Sequence, residues 1–302
     1  MESLERLQKQ LANIEDLRDI VRTMKALSAA SIRQYENAAE ALADYYRTVE
    51  LGLHAALRGA TGPLSLSGSR RPRQPPGAGL IVFGSDHGLC GRFNEDVVAH
   101  AVQYLQESHL PKGSWRVLAV GARTAGGLER EGVPVEEDLI VPGSASRITA
   151  TVLQLLLKID EWRVEDDAMP VVLFYNRARQ RNTSYRSESL PLLPLDLSRF
   201  QHLKEAPWPS RNIPGFSLTR PDLLSRLLRQ YFFVALSRAC ADSQAAEHGS
   251  RLAAMQGAER NLGERLDEIT MSYHRARQSV ITSELLDVVS GFEAIIGADS
   301  DR

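Results

Sequence analysis

The stretch GAGLIVFGSDHGLCGRFN, residues 77–94, decides how the middle of this chain folds. Its apolar run Leu80 to Phe83 predicts a buried β-strand, and the glycine-rich turn that follows leads into a predicted helix from about Asn94 to Glu107. Residues 115–132, WRVLAVGARTAGGLEREG, repeat the order of strand, glycine turn and helix. Strands that alternate with helices at this spacing predict an α/β layer with a mostly parallel sheet.

The alternation continues toward residue 200. EEDLIVPG (136–143) and MPVVLFYNRA (169–178) predict two more strands, with a helical stretch near Arg147 to Ile159 between them. SYRSESLPLLPL (184–195) is typical of an edge strand. The sequence therefore predicts one small α/β domain in the middle of the chain.

Composition sets the boundaries of this domain. SGSRRPRQPPG (67–77) is basic and proline-rich, which is typical of a flexible connector. We place that connector at 61–77, the α/β domain at 78–200 and a second, irregular connector at 201–220. Pro221 then fits the first turn of the helix that follows.

The two ends of the chain predict long helices, because all 14 prolines fall between Pro63 and Pro221 and proline interrupts helices. We assign the N-terminal helix to 1–60 and the C-terminal helix to 221–302. Apolar residues recur in the first at steps of three and four: Leu4, Leu7, Leu11, Ile14, Leu17, Val21, Met24 and Leu27. The second carries a near-heptad seam with a polar gap at Glu259: Met255, Leu262, Leu266, Ile269, Tyr273, Ala276 and Val280, continuing loosely through Leu285, Val288 and Ile295. The two stripes predict that the terminal helices pair as a coiled coil.

Composition argues against several classes of protein. A formal net charge of -2 and a pI near 6.4 give no overall basic field for nucleic-acid binding. Cys90 and Cys240 are far apart and form no C-x-x-C pair, so neither a disulfide framework nor a zinc module is indicated. No run of about 18 apolar residues occurs, so we expect any membrane contact to be made through partners.

The glycine turn Gly84 to Gly91 lies between strand and helix, where phosphate-binding loops are found. It lacks the Lys-Ser/Thr of a Walker A loop and the spacing of G-x-G-x-x-G, so a structural turn is favoured over nucleotide binding. His87 and Cys90 are close enough to suggest an activated thiolate, but no third orienting group is evident. We expect Cys90 to pack as a small apolar residue and His87 to face water. We also expect no catalytic residue, no metal and no cofactor.

Three stretches together resemble a known family. GSDHGLCGRFN (84–94), AAEHGSRLAAM (245–255) and SYHRARQSVITSELLDVVSG (272–291) are similar, in order and spacing, to motifs of the gamma subunits of F-type ATP synthases, and the resemblance covers nearly the whole chain. It implies an α/β fold class: a long antiparallel coiled coil of the N- and C-terminal helices plus a small Rossmann-like α/β domain that serves as a foot. It also implies a non-catalytic rotor, since ATP is made or hydrolysed on other chains in that family.

The resemblance further implies partners: the alpha and beta subunits of the catalytic head, the epsilon subunit and the c-subunit ring. It implies no nucleic acid, and a peripheral location on the cytoplasmic face of the bacterial inner membrane. By position, the residues expected to contact partners are Arg22, Lys25, Glu247, Arg251, Arg277, Gln278, Thr282 and Glu284. The chain departs from the family pattern at Gln244, where an apolar residue is usual, and at Arg220, where an acid is expected.

Two other classes of protein remain open on the residues alone. One is a small α/β enzyme with helical dimerisation arms, and the other is a coiled-coil scaffold. Nucleotide binding by the isolated chain would favour the first, and homodimerisation through the terminal helices would favour the second.

Overall fold

A computed structural model describes residues 4–58, 77–108, 110–111, 113–166, 169–179, 184–194, 208, 211–212 and 214–300, with the side chains of 291–300 left out. The elements, in chain order, are α1 (Leu4–Leu57), β1 (Ala78–Phe83), α2 (Phe93–Glu107), β2 (Trp115–Val120), α3 (Ala122–Arg130), β3 (Glu137–Leu139), a 3-10 turn (Ala145–Arg147), α4 (Ile148–Glu165), β4 (Val171–Ala178), β5 (Tyr185–Leu193) and α5 (Arg220–Ser300). The chain divides into two compact units, one of residues 28–253 and one formed by 1–27 with 254–302. The connector predicted at 61–77 lies outside the described residues except for residue 77, whereas about half of the connector predicted at 201–220 is described, at 208, 211–212 and 214–220.

The sheet of the larger unit has five strands in the order β3-β2-β1-β4-β5. Its first four members run parallel, and β5 pairs antiparallel with β4 at the edge. The predicted mostly parallel sheet and its edge strand are therefore confirmed. Every residue of β1 is buried, which is expected of a central parallel strand covered on both faces.

Side chains of β1 alternate between two apolar layers. Leu80 and Val82 pack with residues of α2 and α3 such as Val97 and Leu128. Ile81 and Phe83 face the opposite layer, in which α4 contributes Trp162 and other apolar residues. Segments of α1 and α5 also contribute to this second layer, through Tyr35 and Leu236 among others. The period of two along a strand thus joins the sheet directly to the helix pair.

Within the larger unit α1 and α5 pair in opposite directions. The Tyr35 ring stacks on His248 with centroids 5.6 Å apart, whereas the Tyr45 hydroxyl donates to the Gln230 side chain at 2.6 Å. Advancing along α1 therefore means moving back along α5. A further apolar cluster fills the interface toward the end of α1: Val49, Leu53, Leu57, Leu228, Tyr231 and Val234. The predicted antiparallel helix pair and the mixed α/β class are confirmed.

Two positions of the predicted N-terminal stripe are wrong. Leu17 and Leu27 are 50% and 63% exposed, whereas their neighbour Ser28 is 2% exposed and Arg18 is half-buried. A paired helix buries positions at alternating steps of three and four. Counted in this way from Leu7, through Leu11 and Ile14, the buried face includes positions 18 and 28 and leaves out 17 and 27. The apolar pattern therefore predicts Leu17 and Leu27 on the buried face, where the structure has the neighbouring residues Arg18 and Ser28.

The predicted C-terminal seam is buried only in its first part. Met255 and Ile269 are 3% and 6% exposed, but Val280, Leu285 and Val288 are 44%, 61% and 72% exposed, so their assignment to the seam is wrong. The reason is the length of the partner helix. The α1 residue Leu7 already lies beside Ile269 and Ser272, so the described part of α1 ends before it could cover Val280. Ile295 lies outside the described side chains.

Among the described residues, no helix combines the length and apolarity needed to cross a membrane.

Candidate functional site

The glycine turn after β1 is held by side chains from its own domain. Ser85 N–H donates to the Asn94 side-chain oxygen at 3.0 Å, and the Thr124 hydroxyl donates to the same oxygen at 3.0 Å. Asp86 accepts the Ala122 N–H at 3.1 Å and the Val141 N–H at 3.0 Å. Ala122 begins α3, so Asp86 places a carboxylate at the N-terminus of that helix, where a bound anion would otherwise be favoured. This favours the structural reading of the turn.

Cys90 is not an activated nucleophile. Cys90 is only 1% exposed. Burial raises the pKa of its thiol, although a hydrogen bond with Ser85 opposes this shift. His87 is exposed. The prediction that Cys90 packs inside while His87 faces water is confirmed.

Helix α5 binds the backbone of the same turn. The Ser250 hydroxyl donates to the Cys90 carbonyl at 2.6 Å, and Arg251 Nη2 donates to the carbonyls of His87 at 3.3 Å and Gly88 at 3.4 Å. The Gln244 amide reaches the Gly84 carbonyl at 3.5 Å. We call this set of contacts the turn joint, formed by the turn Gly84–Cys90 and by Gln244, Glu247, Ser250 and Arg251. It accounts for the polar Gln244 at a position where the family resemblance implied an apolar residue.

Glu247 and Arg251 form a buried ion pair inside the turn joint. Arg251 Nη1 lies 2.6 Å from Glu247 Oε1, one helical turn away on α5. Burial raises the pKa of the Glu247 carboxyl, and the Arg251 charge opposes that shift. The two residues are 4% and 8% exposed, so a partner could reach them only by displacing the turn. Their placement favours a role within this chain over the partner contact expected from the sequence.

Arg22 and Lys25, also expected to contact a partner, share one carboxylate. Arg22 Nε lies 3.1 Å from Glu259 Oε1, and Lys25 Nζ lies 2.5 Å from Glu259 Oε2. Both hydrogen bonds lower the pKa of the Glu259 carboxyl, and the one from Lys25 has the larger effect. The sequence showed Glu259 only as a polar gap in the seam. An acid opposite two cations on paired helices is the signal that could have identified it.

The remaining expected contact residues, Arg277, Gln278, Thr282 and Glu284, all lie on an exposed part of α5. Every residue from 277 to 290 is exposed, and the Thr282 hydroxyl donates back to the Gln278 carbonyl at 2.8 Å. Apolar side chains are exposed on the same part of the helix: Val280, Ile281, Leu285, Leu286, Val288 and Val289. A contiguous apolar surface mixed with polar side chains is typical of a protein-binding segment.

Among the described residues, no three histidine, cysteine, aspartate or glutamate side chains are grouped so that they could hold a metal ion. The fold defines a class of protein: a mixed α/β protein with a five-stranded sheet and long N- and C-terminal helices.

Comparison with known proteins gives the family. A family model described as ATP synthase matches residues 3–295, and the chain belongs to that family. It is 28% identical over 304 residues to the ATP synthase gamma chain of Pelagibacter ubique, covering 98% of this chain and 100% of the relative. It is 29% identical over 315 residues to the ATP synthase gamma chain of Salinibacter ruber, covering 98% of this chain and 99% of the relative.

Solved structures agree in fold. The rotor of the Euglena gracilis mitochondrial ATP synthase matches with a TM-score of 0.57 and 15% identity, over 92% of this chain and 98% of the other. An OSCP/F1/c-ring structure from the same organism matches with a TM-score of 0.59 and 17% identity, over 97% of this chain and 94% of the other. The resemblance to gamma subunits is confirmed.

Proposed function

We propose that this chain is the central rotary shaft of an F-type ATP synthase, where it couples ion-driven rotation of a c ring to ATP synthesis or hydrolysis in the catalytic subunits. The observation that carries the proposal is the exposed segment 277–290 of α5, which the family match includes. A helix with apolar and polar side chains exposed on all sides is suited to contact a surrounding ring. The chain itself is a non-catalytic subunit of the complex that is the enzyme.

The partners follow from this role. Exposed segment 277–290 contacts the alpha and beta subunits of the catalytic head, with Arg277, Gln278, Thr282 and Glu284 as its polar contacts. The α/β domain, proposed to span 78–200, forms the foot that binds the epsilon subunit and the c ring. The Euglena gracilis structure that shares this fold is an OSCP/F1/c-ring assembly, which supports both ends of this arrangement. The complex lies on the cytoplasmic face of the bacterial inner membrane, and the chain contacts the membrane only through its partners.

The mechanism needs a stiff, asymmetric shaft with releasable contacts. The antiparallel helix pair is anchored to the sheet through a shared apolar layer, which resists twisting of the pair against the α/β domain. Exposed polar contacts contribute roughly 0–1 kcal/mol each and are weakened by salt, so one catalytic subunit can be released as the next is bound. Each shaft orientation then favours a different nucleotide state at each site, which is an allosteric coupling.

Removing the polar contacts at the tip tests the proposal. In the complex assembled from the same organism's subunits, Arg277→Ala with Gln278→Ala should lower ATP-driven ion pumping per ATP hydrolysed, while the free chain keeps its circular dichroism spectrum. The matched control is Arg265→Ala with Glu268→Ala, an exposed ion pair 2.7 Å apart on the same helix, which should leave the pumping ratio unchanged. An unchanged pumping ratio in Arg277→Ala with Gln278→Ala would contradict the contact role assigned to these two residues. Failure of the chain to assemble with the head at all would remove the proposed function.

A further inference from the structure

Glu259 on α5 holds two cations of the paired helix at once. Its Oε1 accepts a hydrogen bond from Arg22 Nε at 3.1 Å, and its Oε2 accepts one from Lys25 Nζ at 2.5 Å. Asp19, one turn earlier on α1, lies with its Oδ1 3.8 Å from Arg22 Nη1. We call these four side chains the charge clamp. Its charges, two positive and two negative, sum to zero.

The charge clamp is accessible to a partner. The side chains of Arg22 and Lys25 are 53% and 37% exposed, and all four residues belong to the smaller compact unit. An acidic side chain of another protein could therefore reach both cations. Two effects would oppose its binding, because both cations already have a carboxylate and because the negative charges of Asp19 and Glu259 repel a third.

Packing alone does not account for an acid at this position. Glu259 lies between Met255 and Leu262 in the apolar seam that α5 presents to α1, and Met255 is 3% exposed. An apolar residue at 259 would bury more apolar surface between the two helices. It would not neutralise Arg22 and Lys25. The acid therefore has an electrostatic effect that a residue suited only to the seam would lack.

We propose that Glu259 is a positioning residue that holds Arg22 and Lys25 within the shaft and so limits their attraction to carboxylates of the catalytic head. This inference rests on the proposed function, because that function places the helix pair inside a ring of other chains. A free arginine and a free lysine on a turning surface would bind side-chain carboxylates of one chain after another. Tighter contacts are released more slowly, and each step of rotation requires a release. Glu259 keeps this contact weak enough to be released.

Neutralising Glu259 tests the inference. ATP hydrolysis would be measured, from low to high salt, in the complex assembled from the same organism's subunits. Glu259→Gln should lower kcat at low salt by about two- to fivefold, which is the range that one exposed ion pair supplies, and high salt should restore the rate. The matched control is Glu264→Gln, which removes the same charge from an exposed position on the same helix and should keep the wild-type kcat.

A triple variant separates a charge effect from a loss of structure. Adding Arg22→Gln and Lys25→Gln to Glu259→Gln removes the two freed cations, so kcat at low salt should return to near the wild-type value. If Glu259 acted only by stabilising the helix pair, removal of its partners would not repair that loss. The triple variant would then stay as slow as Glu259→Gln at every salt concentration.

Three results would overturn the inference: a Glu259→Gln complex at least as fast as the wild type at low salt, a loss of rate that high salt does not reverse, or a triple variant that stays slow. Each of them leaves the proposed function standing, because the complex has assembled and hydrolyses ATP. A wild-type chain that fails to assemble with the head removes the proposed function itself.

Discussion

Arg251 and Glu247 form an ion pair 2.6 Å long that is almost entirely enclosed by the chain itself. The pair does more than neutralise two charges, because the same guanidinium also donates to the His87 and Gly88 carbonyls of the glycine turn. One arginine therefore connects α5 to the loop that leaves the central strand of the sheet. In a rotating shaft, this is a place where force on the α/β domain passes to the helix.

Breaking this pair should be costly. Glu247→Gln leaves Arg251 buried beside a neutral amide, and the loss of one partner of a buried ion pair typically costs about 3–5 kcal/mol of unfolding free energy. Urea unfolding of the full chain measures this loss of unfolding free energy. The double change Glu247→Leu with Arg251→Met removes both charges and should cost less than Glu247→Gln, because no uncompensated charge remains. If Glu247→Gln were as stable as the wild type, the result would contradict the burial of the ion pair.

Gly84 should tolerate no side chain. A Cβ at this position would lie 1.5 Å from Thr124 Oγ1 and 2.7 Å from Thr124 Cβ, so Gly84→Ala forces the turn and α3 apart. Overpacking of this kind typically costs about 1–3 kcal/mol. Gly126→Ala is the matched control, since nothing lies within 4 Å of the added carbon and the residue is inside α3. That variant should gain up to about 1 kcal/mol from helix propensity. Thermal unfolding of both variants checks the prediction, and equal midpoints would count against the described packing.

The sheet could be predicted from the sequence because its signal is local. Each strand is a short apolar run followed by a turn, as at Leu80 to Phe83, and the alternation of strands with helices indicates a parallel order. The helix pair can be predicted for the same reason, although hydrophobicity alone assigns Leu17 to the buried face when Arg18 lies nearer to it. Hydrophobicity marks a stripe to within about one position, whereas burial depends on which residue the partner helix meets.

The turn joint could not be predicted, because its acceptors are backbone carbonyls. Ser250 and Cys90 are separated by 160 positions in sequence, and a carbonyl has no identity that a sequence pattern could show. Family resemblance identified Glu247 and Arg251 as important residues but implied that they contact a partner. The exposure of Val280 was missed for another reason: the seam continues in the sequence beyond the point where the described partner helix ends.

Both thiols should be unreactive in the folded chain. Burial raises the pKa of Cys240 to about 12 and also raises the pKa of Cys90, so neither forms much thiolate near neutral pH. Both residues are 1% exposed or less, so a thiol reagent cannot readily reach either sulfur atom. Titration with Ellman's reagent at pH 8 should detect almost no thiol in the native protein and both thiols in denaturant. Rapid labelling of Cys90 in the native state would show that the glycine turn opens readily.

His248 should make the stability of the chain depend on pH. Burial, together with the nearby Arg251 charge, lowers the pKa of this histidine from 6.5 to about 4 in the folded state. Between these values the unfolded chain binds a proton that the folded chain does not, so stability is complete above pH 6.5 and is lost as pH falls toward 4. The loss attributable to this residue is at most about 3 kcal/mol, at 1.36 kcal/mol per pKa unit.

The variant that isolates this effect is His248→Phe, which keeps an aromatic ring against Tyr35 but cannot bind a proton. Urea unfolding from pH 7 to pH 4 should give a steeper loss of stability for the wild type than for this variant, because carboxylates titrate equally in both. His87→Gln changes an exposed histidine and should keep the wild-type slope. Parallel curves for the wild type and His248→Phe would mean that the imidazole is hydrated in the folded chain. The stacked contact between α1 and α5 would then be open to water, and the helix pair would be less rigid at that level than a shaft requires.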